Sequence, residues 1–269
     1  MDDAAVARLA RELHDAEKNR SVIRLPSARF PDMTVADAYA IQKAWVDIKL
    51  AEGRKIIGHK IGLTSRAMQS LFNINEPDYG VLLDDMLYQD GAEIPASRFI
   101  SAMLENELAF VLGKPLIGPN CSIFDILNAT DYVIPALEIV DLRTRPDDPE
   151  TKRRRSVVDT IADNAANAAL VVGGRPIRPL DVDLRWAGAL CYRNGVLEES
   201  GIAAAVLNHP ANAVAWLANK LASFDQTLAP GEIVLSGSFT RTVAARAGDV
   251  FHVDYGPLGS ISCRFVGER

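Results

Sequence analysis

Carboxylates set inside apolar, strand-like segments restrict this chain more than any other feature of its sequence. Glu105 and Glu107 stand two residues apart in Leu104-Glu105-Asn106-Glu107-Leu108-Ala109-Phe110-Val111-Leu112, and Glu138 lies in Pro135-Ala136-Leu137-Glu138-Ile139-Val140. Both segments are aliphatic and bounded by turn formers, the pattern of strands. Side chains alternate across a strand, so Glu105 and Glu107 share one face. Burying a lone carboxylate there is unfavourable. Two unit charges about 4 Å apart repel by roughly 4 kcal/mol at an effective dielectric of about 20. Two arrangements satisfy these constraints. Either the face stays partly solvated and carries ordinary glutamates, or the carboxylates surround a divalent cation. All-oxygen ligands favour magnesium, manganese or calcium over zinc.

Composition narrows the surroundings of that site. With 269 residues the chain can form one large domain, or a domain with a smaller helical appendage, around a core that needs no staples. Its net charge of −6 argues against a general nucleic-acid binder. The basic run Lys152-Arg153-Arg154-Arg155 reads as a solvated loop, with an anion-attracting lid as the alternative. Cys121, Cys191 and Cys263 are odd in number and widely spaced, which suggests free thiols in a reducing compartment. The first residues lack an apolar signal core, and no apolar run approaches a membrane span. The expectation is a cytoplasmic protein with neither membrane nor nucleic-acid partner.

The hydrophobic pattern divides the chain into an N-terminal helical region, 1–55, and a sheet-rich catalytic domain, 56–269. In the first, Leu9, Leu13 and Ala16 form one stripe. A second helix begins near Thr34, with Asp37 as capping-box partner, Ile41, Trp45 and Ile48 as its buried stripe, and Gly53 as its stop. In the second, strands are predicted over 56–61, 107–112, 135–140, 168–172, 188–192 and 232–236, with a closing hairpin turned at Gly256-Pro257-Leu258-Gly259. One helix interrupts them, capped by Asn208, with Pro210 in its first turn and Val214, Leu217 and Leu221 buried. The strands lack regular helix alternation, so the fold class is α+β with a mixed, mainly β core.

Several residues near these strands could carry chemistry. Lys60, between glycines in Ile57-Gly58-His59-Lys60-Ile61-Gly62-Leu63-Thr64-Ser65, is either a proton donor or acceptor or a cationic anchor for a carboxylate, or a lysine whose ammonium reaches water. Asp78 reads as a turn residue after Glu76-Pro77, with general acid/base work as the alternative. Asp159, Asp163, Asn164 and Asn167 fit a polar helix face or cap. Gly237-Ser238-Phe239-Thr240-Arg241 ends an apolar run with hydroxyls and backbone N–H groups that suit a carboxylate, and Arg241 could clamp one. A plain strand-ending turn explains that segment equally well. His59 and His209 read as structural.

Taken together, Gly58-His59-Lys60-Ile61-Gly62-Leu63-Thr64-Ser65, Glu76-Pro77-Asp78-Tyr79-Gly80, Pro135-Ala136-Leu137-Glu138, Asp163-Asn164-Ala165-Ala166-Asn167, Val206-Leu207-Asn208-His209-Pro210-Ala211, Gly237-Ser238-Phe239-Thr240-Arg241 and Phe251-His252-Val253-Asp254-Tyr255-Gly256 resemble the hydratase/decarboxylase branch of the fumarylacetoacetate-hydrolase superfamily. The resemblance runs over nearly the whole chain. It implies the fumarylacetoacetate-hydrolase C-terminal type of core, and magnesium or manganese held by Glu105, Glu107 and Glu138. It also implies Lys60 and Asp78 as catalytic residues, with Leu63, Ser238 and Thr240 binding substrate. The implied reaction is hydration of a small-molecule 2-oxo-enoate dicarboxylate in aromatic meta-cleavage catabolism. Decarboxylation of a related substrate, hydration of a shorter monocarboxylate, and a non-catalytic partner subunit are the alternatives. A homo-oligomer is implied, with a decamer as the family's large assembly. The chain departs from the family pattern at Ala102-Met103, where a Pro-Arg pair is usual, and at Asn106, where an aliphatic residue is usual. The missing arginine bears on how a distal carboxylate would be recognised.

Overall fold

Local capping signals start the first two long helices, the second of them at the Thr34 box that the sequence places there. The computed structural model describes residues 1–72 and 74–267. Helix α1 (Asp3–Asn19) begins at Asp2, whose side chain accepts the Ala5 N–H, and it buries Leu9, Leu13 and Ala16. After the short α2 (Pro26–Arg29), Thr34 and Asp37 form the expected capping box for α3 (Val35–Ala51). Helix α3 packs along α1 and buries Ile41 and Trp45, with Ile48 partly covered on the same stripe.

The strands among the described residues form an eight-stranded and a five-stranded sheet. The larger runs in the order β2 (Asp78–Leu83), β1 (Ile56–Gly62), β10 (Ile233–Leu235), β5 (Met103–Leu112), β6 (Thr130–Val140), β7 (Asn167–Val172) and β3 (Leu87–Gln89), and β11 (Val243–Ala244) also pairs with β5. The smaller runs β4 (Ala92–Pro95), β13 (Ser260–Val266), β12 (Val250–Asp254), β8 (Gly188–Arg193) and β9 (Val196–Ile202). Four further helices lie between strands: α4 (Arg66–Phe72), α5 (Ile123–Ala129), α6 (Val157–Ala162) and α7 (Pro210–Ala222).

Phe251 and Phe265 of the smaller sheet are buried in one core with Leu108 and Phe110 of the larger. The buried Tyr255 hydroxyl donates to the Ala136 carbonyl at 2.7 Å, tying the end of the hairpin to β6. Cys191 and Cys263 are buried free thiols, and Cys121 is a half-buried one.

Two local expectations need correction. Asp78 is the first residue of β2 rather than part of a turn, because its backbone registers opposite Gly62 of β1. Helix α7 is capped by His209 and not by Asn208: the His209 ring accepts the Ala211 N–H, while Asn208 takes left-handed backbone at φ +67°. Val214, Leu217 and Leu221 are buried as expected.

Candidate active site

The pairing of β5 with β6 assembles the three glutamates. Glu105 stands opposite Glu138 and Glu107 opposite Ala136, so alternation brings all three side chains to one face. Their oxygens lie within 4.8 Å of one another. Glu107 and Glu138 are fully buried and Glu105 is half-buried, so this is not a solvated acidic face.

One oxygen of each buried carboxylate is held in place. Glu107 Oε2 accepts the Gly237 N–H at 2.7 Å, and Glu138 Oε1 accepts Asn167 Nδ2 at 2.8 Å. Glu107 Oε1 and Glu138 Oε2 are buried without a hydrogen-bond partner. Buried carboxylate oxygens are normally satisfied, and two orphans facing a third carboxylate suit a hard divalent cation.

Lys60 and Asp78 complete the cluster from the neighbouring strands. Lys60 registers with Leu235 of β10, which registers with Ala109 of β5, on the parity of Glu107 and Glu105. Its Nζ lies 3.3 Å from Glu138 Oε1 and donates to the Ala165 carbonyl at 2.9 Å. Asp78 is 2% exposed, and neither of its carboxylate oxygens has a hydrogen-bond partner. Gly62 makes room for both: a Cβ there would stand 2.3 Å from Asp78 Oδ1 and 3.2 Å from Lys60 Nζ.

Burial and mutual charge set the protonation of this group. Burial lifts the Asp78 carboxyl to about 6, against the pull of Lys60. Burial and then the Glu138 charge raise Glu105 to about 7, and burial with Glu138 and Glu105 holds Glu107 well above the usual carboxylate range. Burial works against the charge on Lys60, yet Glu138, Asp78, Glu105 and Glu107 together hold it above the ordinary lysine value. The lysine is therefore a charged, buried ammonium rather than one that reaches water.

Other sequence candidates lie elsewhere. The Thr240 hydroxyl accepts from Asn106 Nδ2 at 2.8 Å, and Asn106 alternates to the face of β5 opposite the carboxylates. Ser238 Oγ donates to the Thr240 carbonyl at 3.0 Å. From that segment it is the Gly237 backbone that touches the cluster. Leu63 has left-handed backbone at φ +55°, and its carbonyl accepts from Gln69. Arg241 is no carboxylate clamp here; its exposed guanidinium pairs with Glu199 at 2.7 Å. His59 points away from Lys60 toward Glu232, 3.5 Å off. The basic run is a largely exposed loop, pinned by Arg153 to the Ser27 carbonyl and by Arg155 to Thr144.

The segment 159–167 departs most from expectation. It is not a polar helix face, because α6 ends at Ala162 and Asn164, Ala165 and Ala166 then turn left-handed. Asp159 caps α6 and also accepts from the Ser27 N–H and hydroxyl. Asp163 pairs with the buried Arg143. Sequence reasoning missed that Asn167 and the Ala165 carbonyl reach the cluster. The available signal was asparagine's tolerance of left-handed backbone.

The profile of the fumarylacetoacetate hydrolase C-terminal family matches residues 56–266. The chain is 64% identical over 258 residues to the Escherichia coli 2-oxo-hept-4-ene-1,7-dioate hydratase, spanning 96% of this chain and 97% of that protein. It is 39% identical over 261 residues to a Pseudomonas putida 4-oxalocrotonate decarboxylase, 97% of each. Among solved structures, the 4-oxalocrotonate decarboxylase from Pseudomonas putida G7, complexed with magnesium and adipate, superposes with a TM-score of 0.93 at 37% identity over 99% of both chains.

Proposed function

The chain belongs to the fumarylacetoacetate hydrolase C-terminal family, and from that premise we propose that it is a hydro-lyase adding water to 2-oxo-hept-4-ene-1,7-dioate to give 4-hydroxy-2-oxoheptanedioate. The observation that carries this is the buried convergence of Glu105, Glu107 and Glu138 beside Lys60 and Asp78. The cofactor is magnesium, with manganese as its equivalent, and the three glutamates would hold it. When bound, it supplies Lewis-acid polarisation of a 2-oxo acid.

The substrate's alkene lies one carbon too far from the carbonyl for direct conjugate addition of water. A proton must leave C3 and another must reach C5 before hydroxide adds at C4 and C3 takes a proton, for a net gain of one water. These transfers need a base that is ionised near neutrality and an acid close to it. Asp78, lifted to about 6, fits the first role, and the charged Lys60 beside it fits the second. The Lys60 ammonium also favours enolate charge forming nearby. Leu63, Ser238 and Thr240 are proposed to bind substrate from segments beside the cluster, the second of which reaches it through the Gly237 N–H.

Several finer assignments go with it. Residues 1–55 are taken as a helical region and 56–269 as the catalytic domain, supported by the start of β1 at Ile56. The pathway is aromatic meta-cleavage catabolism of the homoprotocatechuate type, in the cytoplasm. No described helix is long and apolar enough to cross a membrane. Assembly into a homo-oligomer goes with this reading.

Hydration by Glu107→Ala under saturating magnesium tests the site. Loss of turnover is expected, and near wild-type turnover would sink the metal assignment. Carbon dioxide release by the wild type, in place of water addition, would make the chain a decarboxylase instead.

A further inference from the structure

Three successive residues with side chains, Asn164, Ala165 and Ala166, have φ of +51°, +50° and +63°. Left-handed backbone is disfavoured for L residues because Cβ crowds the following carbonyl, and it normally occurs at single positions. A run of three persists only where the surroundings over-determine it. Here they do. Strand β2 lies at an edge of the large sheet. The Asn164 amide docks on it like a missing strand: Oδ1 accepts the Val81 N–H at 2.8 Å, and Nδ2 donates to the Val81 carbonyl at 3.0 Å. Gly80 permits the approach, since a Cβ there would stand 2.5 Å from the Asn164 carbonyl oxygen. One buried guanidinium grips both ends of the turn, as Arg143 donates to the Asp163 carboxylate, to the Asp163 carbonyl at 2.6 Å and to the Asn167 carbonyl at 3.1 Å.

We propose that this left-handed turn, locked onto β2 by Asn164, is a device that positions Lys60 for catalysis, and that Asn164 is its positioning residue. It rests on the hydratase reading above. Had α6 simply continued, its carbonyls would point along the helix toward their own N–H partners. The left-handed turn instead presents the Ala165 carbonyl to Lys60 Nζ at 2.9 Å and sets Asn167 against Glu138. A lysine ammonium has three donors on a flexible stem. The Ala165 carbonyl engages one of them and the Glu138 carboxylate lies 3.3 Å from the ammonium, which fixes the head group and leaves donor capacity for substrate.

The test is steady-state hydration of 2-oxo-hept-4-ene-1,7-dioate in excess magnesium by the full-length wild type, Asn164→Ala and Asn164→Asp. Misplacing a reacting group by an ångström can lower a rate about 100-fold. Asn164→Ala is accordingly expected to lower kcat roughly 10- to 100-fold with KM within about twofold. Asn164→Asp keeps an acceptor for the Val81 N–H and tolerates left-handed backbone, so its kcat is expected to fall between the two. A merely structural role would lower the folded fraction without this graded effect on kcat. A folded Asn164→Ala with kcat near wild type overturns the proposal, and so does a loss carried by KM. If Asn164→Ala does not fold, Asn164→Asp decides: lowered kcat at unchanged KM supports the proposal, and unchanged kcat overturns it. A wild-type chain that does not hydrate 2-oxo-hept-4-ene-1,7-dioate overturns the hydratase reading itself, and the positioning role with it.

Discussion

Replacing Asp78 by asparagine is expected to stabilise the fold while removing activity. Asp78 is almost fully buried, and neither oxygen has a hydrogen-bond partner. Its ionised form is thus disfavoured in the folded state, where the carboxyl rises from 3.8 to about 6, a value that already includes the attraction of Lys60. At about 1.4 kcal/mol per pKa unit, this corresponds to roughly 3 kcal/mol of destabilisation once the group is ionised. The sign follows from linkage. A carboxyl with a raised folded pKa leaves stability intact below its unfolded value, and stability falls as pH rises through the folded value. The asparagine of Asp78→Asn would not titrate, although its amide still carries unpaired polar atoms, so a net gain of roughly 1–3 kcal/mol is expected at about pH 7.5 and almost none at about pH 4. For a chain of this size that is a Tm increase of roughly 2–10 °C. Thermal unfolding of both proteins in EDTA from about pH 4 to 8 measures it, alongside hydration of 2-oxo-hept-4-ene-1,7-dioate in magnesium, where a loss of about 100-fold or more is expected. A variant less stable than wild type at the upper end of that range, or one that keeps wild-type kcat, would refute the reasoning.

The glutamates make a related prediction: because Glu105 is raised to about 7 and Glu107 is held well above its ordinary value, apo-protein Tm should fall as pH rises from about 5 to 8, and magnesium should reverse the trend. Calorimetric titration should show magnesium affinity rising through about pH 7 with proton release, and pH-independent binding without released protons would contradict it. Gly62→Ala should lower kcat about 10-fold or more, because the new Cβ would displace Asp78 Oδ1 and press on Lys60 Nζ, with unchanged circular dichroism. Wild-type kinetics in that variant would show that the placement of Asp78 is not critical.

Much of this architecture was legible in the residues themselves. Thr34 and Asp37 announce the start of α3, and alternation in 104–108 places Glu105 and Glu107 on one face before any pairing is known. Bringing Glu138 to the same face depends on the β5–β6 register, which a single sequence does not encode locally. Asp78 looked like a turn because Pro77 and Gly80 flank it. Tertiary pairing with Gly62 makes it a strand residue instead. The segment 159–167 misled for a physical reason: its polar spacing fits a helix. Yet the docking of Asn164 on Val81 and the grip of Arg143 select left-handed backbone against local preference. The contacts of Gly237 and Ala165 are made by backbone atoms, which carry no side-chain signature.

The charge balance of the site explains why the Lys60 ammonium must be held so firmly. With Glu105, Glu107, Glu138 and Asp78 all ionised and Lys60 charged, the cluster carries three net negative charges. A divalent cation leaves one, and an arriving substrate carboxylate makes it two. Buried surroundings tolerate unbalanced charge poorly, so the residual negative charge favours transfer of a proton to one of these carboxylates once substrate is bound. Asp78, already raised to about 6 by burial, is the carboxyl suited to take the proton that leaves C3, because Glu105, Glu107 and Glu138 would hold the cation. The proton taken from C3 is then available for return to the substrate, and the partner of Asp78 in the exchange is Lys60, the neighbour that shares the space opened by Gly62. A lysine free to swing to water would abandon that balance, which gives the Ala165 carbonyl and the strained turn behind it a reason to persist.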